Sequence, residues 1–458
     1  MNNSLADIFK KQFLFQPNIN QSRDLERLIF EIMRRENVHL EDIITYLRMD
    51  APLKKYSGRN IFFALKNTLV KRRFPLTSRQ ETIDKKNIFL SRIKPGLGDN
   101  WLVQKTFKPL KIFIEKEVKE SLIVKNFRTY FPDSKMEELD YYGSWREKNK
   151  FNIAQLKMPL VFIIKEKWDF LKPCPCTKEH LSCGYWILNL GFGCPFDCSY
   201  CFLQQYANFP GIVLPANLED FFEKFDVLYK KLKKPIRIGT GEFCDSLALD
   251  HITEYSKQLI PYFQNKKVLF ELKTKSDNIT NLLELKPSPN IVISWSLNPE
   301  KIIAKEEIAV ATLTQRLQAA AAIQQHGYAI AFHFDPIIHS YDWQALYRST
   351  VKQLYTAVKP NLRWISLGTL RSHRELKNIA EQRFPQSNIF YGELLLGEDK
   401  KLRYPKFLRR QIYQEMLGWI KQYDDKTPVY LCMEEKEMWD ILGKKNSLEI
   451  EQYLLDLF

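Results

Sequence analysis

The run from Tyr185 to Cys201, YWILNLGFGCPFDCSYC, constrains this chain more than any other stretch. Tyr185 to Phe192 carries no charge and reads as a buried strand. Gly191 and Gly193 break it, and Cys194, Cys198 and Cys201 follow in the loop. Three closely spaced cysteines in a long, non-secreted chain point to metal binding rather than to disulfides. Three thiolates leave one position of a tetrahedral or cubane site open, which is what a catalytic metal needs. A zinc ribbon or a structural cluster is the competing reading, although zinc more often takes paired C-x2-C knuckles.

The 458 residues suffice for one large domain and one or two small ones, and 45% hydrophobic with 27% charged residues is the make-up of a folded protein. No uncharged run reaches the roughly 18 apolar residues of a membrane span. The start, MNNSLADIFKKQF, lacks a signal-peptide core. With six of eight cysteines between Cys174 and Cys201, a reducing, cytoplasmic setting is expected. The net charge is +15, and residues 1–108 hold 21 Lys and Arg against 11 Asp and Glu, an excess of ten. A localised basic excess favours a nucleic-acid partner over a merely solvated surface.

Four regions follow. Residues 1–108 read as a helical, basic accessory region. Leu25, Leu28, Ile29 and Ile32 recur at helical spacing, with Arg23, Arg27, Arg34 and Arg35 between them and Asn37 as a stop. Leu40–Leu47 and Tyr56–Val70 read as further helices, the latter running into Lys71, Arg72 and Arg73. This is compatible with a helix-turn-helix-like module or with a small packing domain. Residues 109–183 read as a small α/β segment with strands at Leu110–Ile114 and Leu160–Ile164. Residues 184–400 alternate strand and helix, with strands at Trp186–Phe192, Ile236–Thr240, Val268–Leu272, Ile291–Trp295, Ala329–Phe334 and Trp364–Leu367. Six such units predict an α/β fold, a partial (β/α)6 TIM-like barrel whose chemistry sits at the C-terminal strand ends. Those ends offer Glu242, Cys244, Asp245 and Ser246, then Lys273 and Lys275, then Ser296 and Asn298, then His333 and Asp335, then Thr369 with Arg371. Together they supply the carboxylate, ammonium and hydroxyl groups a zwitterionic ligand needs. Residues 401–458 read as a charged helical extension. Its interleaved Tyr404, Phe407, Tyr413, Trp419, Lys406, Arg409 and Arg410 suit a helix covering the barrel better than a nucleic-acid face.

The C-x3-C-x2-C spacing after a strand, with Tyr200 before the last cysteine, resembles the radical S-adenosylmethionine enzymes. Further details resemble their spore photoproduct lyase-like branch over roughly residues 109–400: Gly193-Cys194-Pro195, Leu203-Gln204, Asn217-Leu218-Glu219, Glu242 with Cys244 and Ser246, Ser296-Leu297-Asn298, and Arg371 ahead of Arg383-Phe384-Pro385. The resemblance implies a [4Fe–4S] cluster held by Cys194, Cys198 and Cys201, its fourth iron taking S-adenosyl-L-methionine. It implies cofactor contacts from Glu242, Ser246, Lys275, Ser296 and Asn298. Cys244 would donate a hydrogen atom to a product radical, Tyr200 would take part in catalysis, and Arg371 would lie near DNA. The implied activity is a DNA-repair lyase that splits a methyl-linked thymine dimer through a 5′-deoxyadenosyl radical. A flavodoxin or ferredoxin would supply the electron.

Two departures stand out. The family's repair enzymes commonly carry tyrosine on both sides of the last cluster cysteine, and this chain has Tyr200 but Phe202, which has no O–H. The usual Cys-Thr-Ser is here Cys244-Asp245-Ser246, and the carboxylate is expected to raise the thiol pKa or alter lesion contacts. These departures leave room for another nucleic-acid substrate, such as a modified RNA base. A metal-stabilised nucleic-acid-binding protein without turnover is the non-enzymatic alternative. Cys174, Cys176, His180 and Cys183 form a further group that reads as a barrel-capping segment in preference to an auxiliary metal site, and Cys432 reads as a core residue.

Overall fold

The computed structural model describes residues 4–50, 55–57, 59–80, 87–93, 106–167, 170–176, 180–232 and 234–455. It divides into two compact units, one of residues 1–98 with 371–409, the other of residues 99–370 with 410–458. The first unit is thus discontinuous: residues 371–400, which the sequence pattern groups with the barrel, pack with the N-terminal helices.

In the first unit the helices are Leu5–Phe13, Ile19–Glu36, Leu40–Met49 and Arg59–Arg73. Ser4 with Asp7 and Asn18 with Gln21 form capping boxes that start the first two, and Asn37, left-handed at φ 55°, ends the second. Phe9, Leu25, Leu28, Ile32, Leu47, Leu65 and Phe74 bury one core, which Leu395 joins. The expected basic rim needs correction. Arg27 and Arg73 are buried rather than solvent-facing, because Glu31 is buried beside them: Arg27 lies 2.9 Å and Arg73 2.8 Å from its carboxylate, and Lys377 binds it too. Burial alone would raise the Glu31 carboxyl, yet Lys377, Arg73 and Arg27 together hold it down to about 2. Arg35 donates to the Arg72 carbonyl and Arg72 pairs with Glu36 at 2.8 Å. Part of the N-terminal positive charge, Arg27, Arg35, Arg72 and Arg73, is therefore engaged within the unit.

The second unit is built on an eight-stranded sheet. We label its strands β1 (Leu171–Pro173), β2 (Tyr185–Leu188), β3 (Ile236–Gly239), β4 (Val268–Thr274), β5 (Ile291–Ser296), β6 (Ala329–Ile337), β7 (Ile365–Thr369) and β8 (Val429–Leu431). They lie side by side in chain order; β2 to β8 run parallel and β1 is antiparallel to β2. All six expected strands are present, and β8 adds a seventh parallel one. The sheet is curled. Arg237 of β3 packs its guanidinium over the rings of Trp364, 4.2 Å away, and of Tyr430 on β8, 5.0 Å away, which a flat sheet could not bring together. Along β4 the faces alternate. Phe270 stacks outward on Phe263 at 4.3 Å, whereas Glu271 bonds His333 of β6 across the interior at 2.7 Å. The helix Lys406–Lys421 is tied to the end of β7, where the Tyr413 hydroxyl accepts the Thr369 N–H at 3.0 Å.

A second, parallel sheet takes strands Lys135–Leu139, Lys111–Glu115, Leu160–Ile164 and Ile212–Pro215, in that spatial order. Its last strand comes from beyond the small segment read in the sequence. The cysteine loop therefore leaves β2 of one sheet and enters the other.

Candidate active site

The expected first strand stops at Leu188 rather than Phe192, because the next residues change sheets. Phe192 pairs with Val213, and Gly191 turns the chain at φ 130°. Gly193 follows at φ 90°, and a Cβ there would stand 2.5 Å from the Gly211 carbonyl oxygen, so only glycine fits. Its N–H donates to the Phe243 carbonyl at 3.0 Å, which ties the cysteine loop to the loop that carries Cys244. Phe192 and Phe202 both pack on Phe243, with centroids 5.2 and 6.5 Å away.

The loop is clamped from several sides. Lys157 donates to the carbonyls of Cys194 and Phe196, at 2.7 Å for the former. Gln204 donates to the carbonyls of Cys198 at 2.9 Å and Ser199 at 3.2 Å. Asp197–Cys198 forms a short antiparallel ladder with Glu307–Ile308, and the Ser199 hydroxyl reaches Glu306 at 2.5 Å. Cys194, Cys198 and Cys201 are all free thiols, raised by burial, and Cys198 lies within electrostatic reach of the other two. Among the described residues no three His, Cys, Asp or Glu side chains crowd one point closely enough to hold a single ion. A cubane asks for something else, since each thiolate binds its own iron and the sulfurs stand farther apart. Three reduced thiols on one immobilised loop suit that donor set.

Around this loop lies a buried network. The Glu307 carboxylate accepts from Lys275 at 3.0 Å, Asn298 at 3.0 Å, Arg316 at 2.6 Å and the Tyr200 hydroxyl. Lys275 also reaches the Tyr200 oxygen at 3.0 Å, and Asn298 accepts from Tyr347 at 2.7 Å. Burial would raise the Glu307 carboxyl; Arg316 and Lys275 outweigh it and hold it well below the usual range. Tyr200, Lys275 and Asn298 are thus brought together, and Tyr200 gives its hydrogen to a carboxylate.

The other candidates separate by role. Ser246 accepts the Lys273 N–H at 3.0 Å and lies 2.5 Å from the Thr240 hydroxyl, so it fastens β3 to β4. Asp245 accepts from Leu247, Ala248, Thr274 and Lys275, between 2.6 and 3.1 Å. Burial first, then Asp245, pushes the Cys244 thiol up to about 12. Glu242 pairs with Lys273 at 3.7 Å. The Ser296 carbonyl accepts from Arg316 at 2.8 Å. Arg371 falls in the first unit, where it pairs with Arg403 in a short ladder.

Sequence reasoning missed Lys157, Glu307 and Arg316. Only the last had a signal, a charge on the apolar face between Leu313 and Ala320. Lys157 and Glu307 sit in segments with no periodicity.

Residues 146–418 match the family model for spore photoproduct lyase. The chain is 24% identical over 329 residues to the spore photoproduct lyase of Bacillus subtilis, covering 68% of this chain and 92% of that one. It is 26% identical over 200 residues to the spore photoproduct lyase of Clostridium acetobutylicum, covering 43% of this chain and 57% of that one. In fold it is similar to spore photoproduct lyase complexed with dinucleoside spore photoproduct, with a TM-score of 0.61 at 20% identity over 71% of this chain and 100% of that one. A mutant of that enzyme with bound AdoMet and the dinucleoside gives 0.61 at 19% identity over 72% and 100%.

Proposed function

Because the chain belongs to the spore photoproduct lyase family, we propose that it is a radical S-adenosylmethionine lyase that returns a UV-induced thymine lesion in DNA to two thymines. The observation that carries this reading is the Gly193–Phe243 hydrogen bond, which locks the three-cysteine loop against the loop bearing Cys244. Cys194, Cys198 and Cys201 would hold a [4Fe–4S] cluster, and Glu242, Ser246, Lys275, Ser296 and Asn298 would bind S-adenosylmethionine. When bound, these groups supply a 5′-deoxyadenosyl radical by one-electron cleavage of the sulfonium.

The residues of this chain do the rest. Phe192, Phe202 and Phe243, each half-buried, line the junction of the two loops with apolar rings. Cys244 returns a hydrogen atom to the product radical. A hydrogen-atom donor must keep its S–H bond, and a thiol pushed up to about 12 by burial and Asp245 stays protonated at neutral pH. Tyr200 acts through position, since its hydroxyl is committed to Glu307. The setting is a reducing cytoplasm with a flavodoxin or ferredoxin as electron donor, which eight free cysteines favour.

The test is anaerobic reconstitution and assay of 5′-deoxyadenosine and repaired thymine with UV-treated DNA. Cys244→Ala is expected to cleave S-adenosylmethionine and yield unquenched, aberrant products. Normal thymine pairs from that variant refute the donor role. Phe202 favours a second reading, the same chemistry on a different nucleic-acid base, because a two-tyrosine relay cannot operate. Failure to repair a lesion-bearing dinucleotide, with S-adenosylmethionine cleavage intact, would select it.

A further inference from the structure

Four cysteines that the reading above leaves unused come from three separate places. Cys174 directly follows β1, Cys176 lies two residues on, Cys183 precedes β2, and Cys432 directly follows β8. β1 and β8 are the two edges of the sheet, at opposite ends of its strand order. Curling brings those edges toward each other. An antiparallel bridge between His180 and Glu435 joins the segment carrying the first three cysteines to the segment just after Cys432. The Cys174 N–H is held by the Tyr185 carbonyl at 2.9 Å, and the Cys432 N–H by the Leu367 carbonyl at 2.8 Å, so both positions are anchored to strands.

The thiols meet. Cys174 and Cys176 hydrogen-bond through their sulfurs, and Cys432 lies within electrostatic reach of Cys174. Cys183 lies within reach of Cys176 and of Arg237. All four are reduced and partly buried.

A second observation is independent of the sulfurs. Arg237 is only 1% exposed, and its Nε and Nη1 have no hydrogen-bond partner. Its faces are covered by Tyr185, Trp364 and Tyr430, and its one hydrogen bond goes to the Tyr430 hydroxyl at 3.4 Å. Glu271 lies within electrostatic reach and offsets part of the charge, but the two unanswered N–H edges are costly unless an acceptor sits against them. Lys273 brings a second cation within reach of Cys432, and Glu242 a carboxylate within reach of Cys174. Thiols that merely filled space as small hydrophobes would leave those two N–H edges without an acceptor.

We propose that Cys174, Cys176, Cys183 and Cys432 bind a second iron–sulfur cluster where the edges of the curled sheet meet, with Arg237 donating to its sulfurs. The cluster and its four thiolates carry net negative charge, which Arg237 and Lys273 offset. Binding releases the thiol protons. The site goes beyond the proposed repair activity and does not depend on it.

The experiment measures iron, acid-labile sulfide and zinc in the full chain after anaerobic reconstitution, with the electron paramagnetic resonance spectrum of the reduced protein. Wild type is expected to hold about eight irons, two cubanes. Cys194→Ala/Cys198→Ala/Cys201→Ala should keep about four irons and a reduced-cluster signal. Cys174→Ala/Cys183→Ala/Cys432→Ala should also keep about four, with the other signal. Iron equal to wild type in this second variant, no iron in the first while circular dichroism shows it folded, or zinc in place of iron would each overturn the proposal. Should the radical-enzyme reading alone fail, wild type holds one cluster, indifferent to the first variant and lost from the second.

Discussion

Glu307→Gln tests the electrostatic core of the site. The glutamine keeps the volume of the glutamate and one acceptor, but removes the charge that serves Lys275 at 3.0 Å and Arg316 at 2.6 Å. Arg316 is fully buried, so its guanidinium would be left without a counter-ion. Breaking a buried pair from one side typically costs about 3–5 kcal/mol. With about 2.1 cal/mol/K of unfolding entropy per residue over the roughly 320 residues of this unit, that loss lowers the melting midpoint by roughly 5–7 °C. The assay is calorimetry of wild type, Glu307→Gln, Arg316→Met and the double variant. The double variant should recover part of the loss, because it also removes the stranded Arg316 guanidinium and leaves only Lys275 without its carboxylate. The Glu307 carboxylate also holds the hydroxyl of Tyr200, which sits between Cys198 and Cys201, so the single variant should incorporate less iron on reconstitution. A shift under 1 °C, or a double variant no better than the single one, would refute the account of Glu307 as the charge on which Tyr200, Lys275 and Arg316 converge.

Three further outcomes are expected. Glu31→Gln should destabilise the first unit by about 3–5 kcal/mol. Since the Glu31 carboxyl is held at about 2 against an ordinary 4.5, its contribution is complete above 4.5 and fades as pH falls toward 2, a dependence that the variant should lose in acid denaturation followed by circular dichroism. Gly193→Ala should cut bound iron from about eight to about four per chain while the far-ultraviolet spectrum persists, because its Cβ meets the Gly211 carbonyl at 2.5 Å; a variant that reconstitutes normally contradicts the clamp. Cys244, with its thiol pushed up to about 12, should react with iodoacetamide at pH 8 at least about 100-fold more slowly than a free cysteine, by peptide mapping, and faster as pH rises.

Much of this protein is written locally. The six parallel strands are apolar runs of the right length between helical patterns, and short-range periodicity suffices to see them. The cysteine triplet, Gly193 and the groups at the strand ends are likewise legible, because loop chemistry and strand-end position are properties of neighbouring residues. The inward turn of Arg27 and Arg73 is different: Glu31 lies one helical turn from Arg27, but Arg73, Lys377 and Glu381, which share its buried volume, come from distant parts of the chain. Cys432 looked like filler because its companions stand some 250 residues away, and only a curled sheet sets β8 near β1. Periodicity reports which face of an element is buried, while the partner across that face is chosen by packing. Strands and the cluster motif therefore followed from the chain alone; the Glu307 network and the gathering of four more thiols had to wait for the fold.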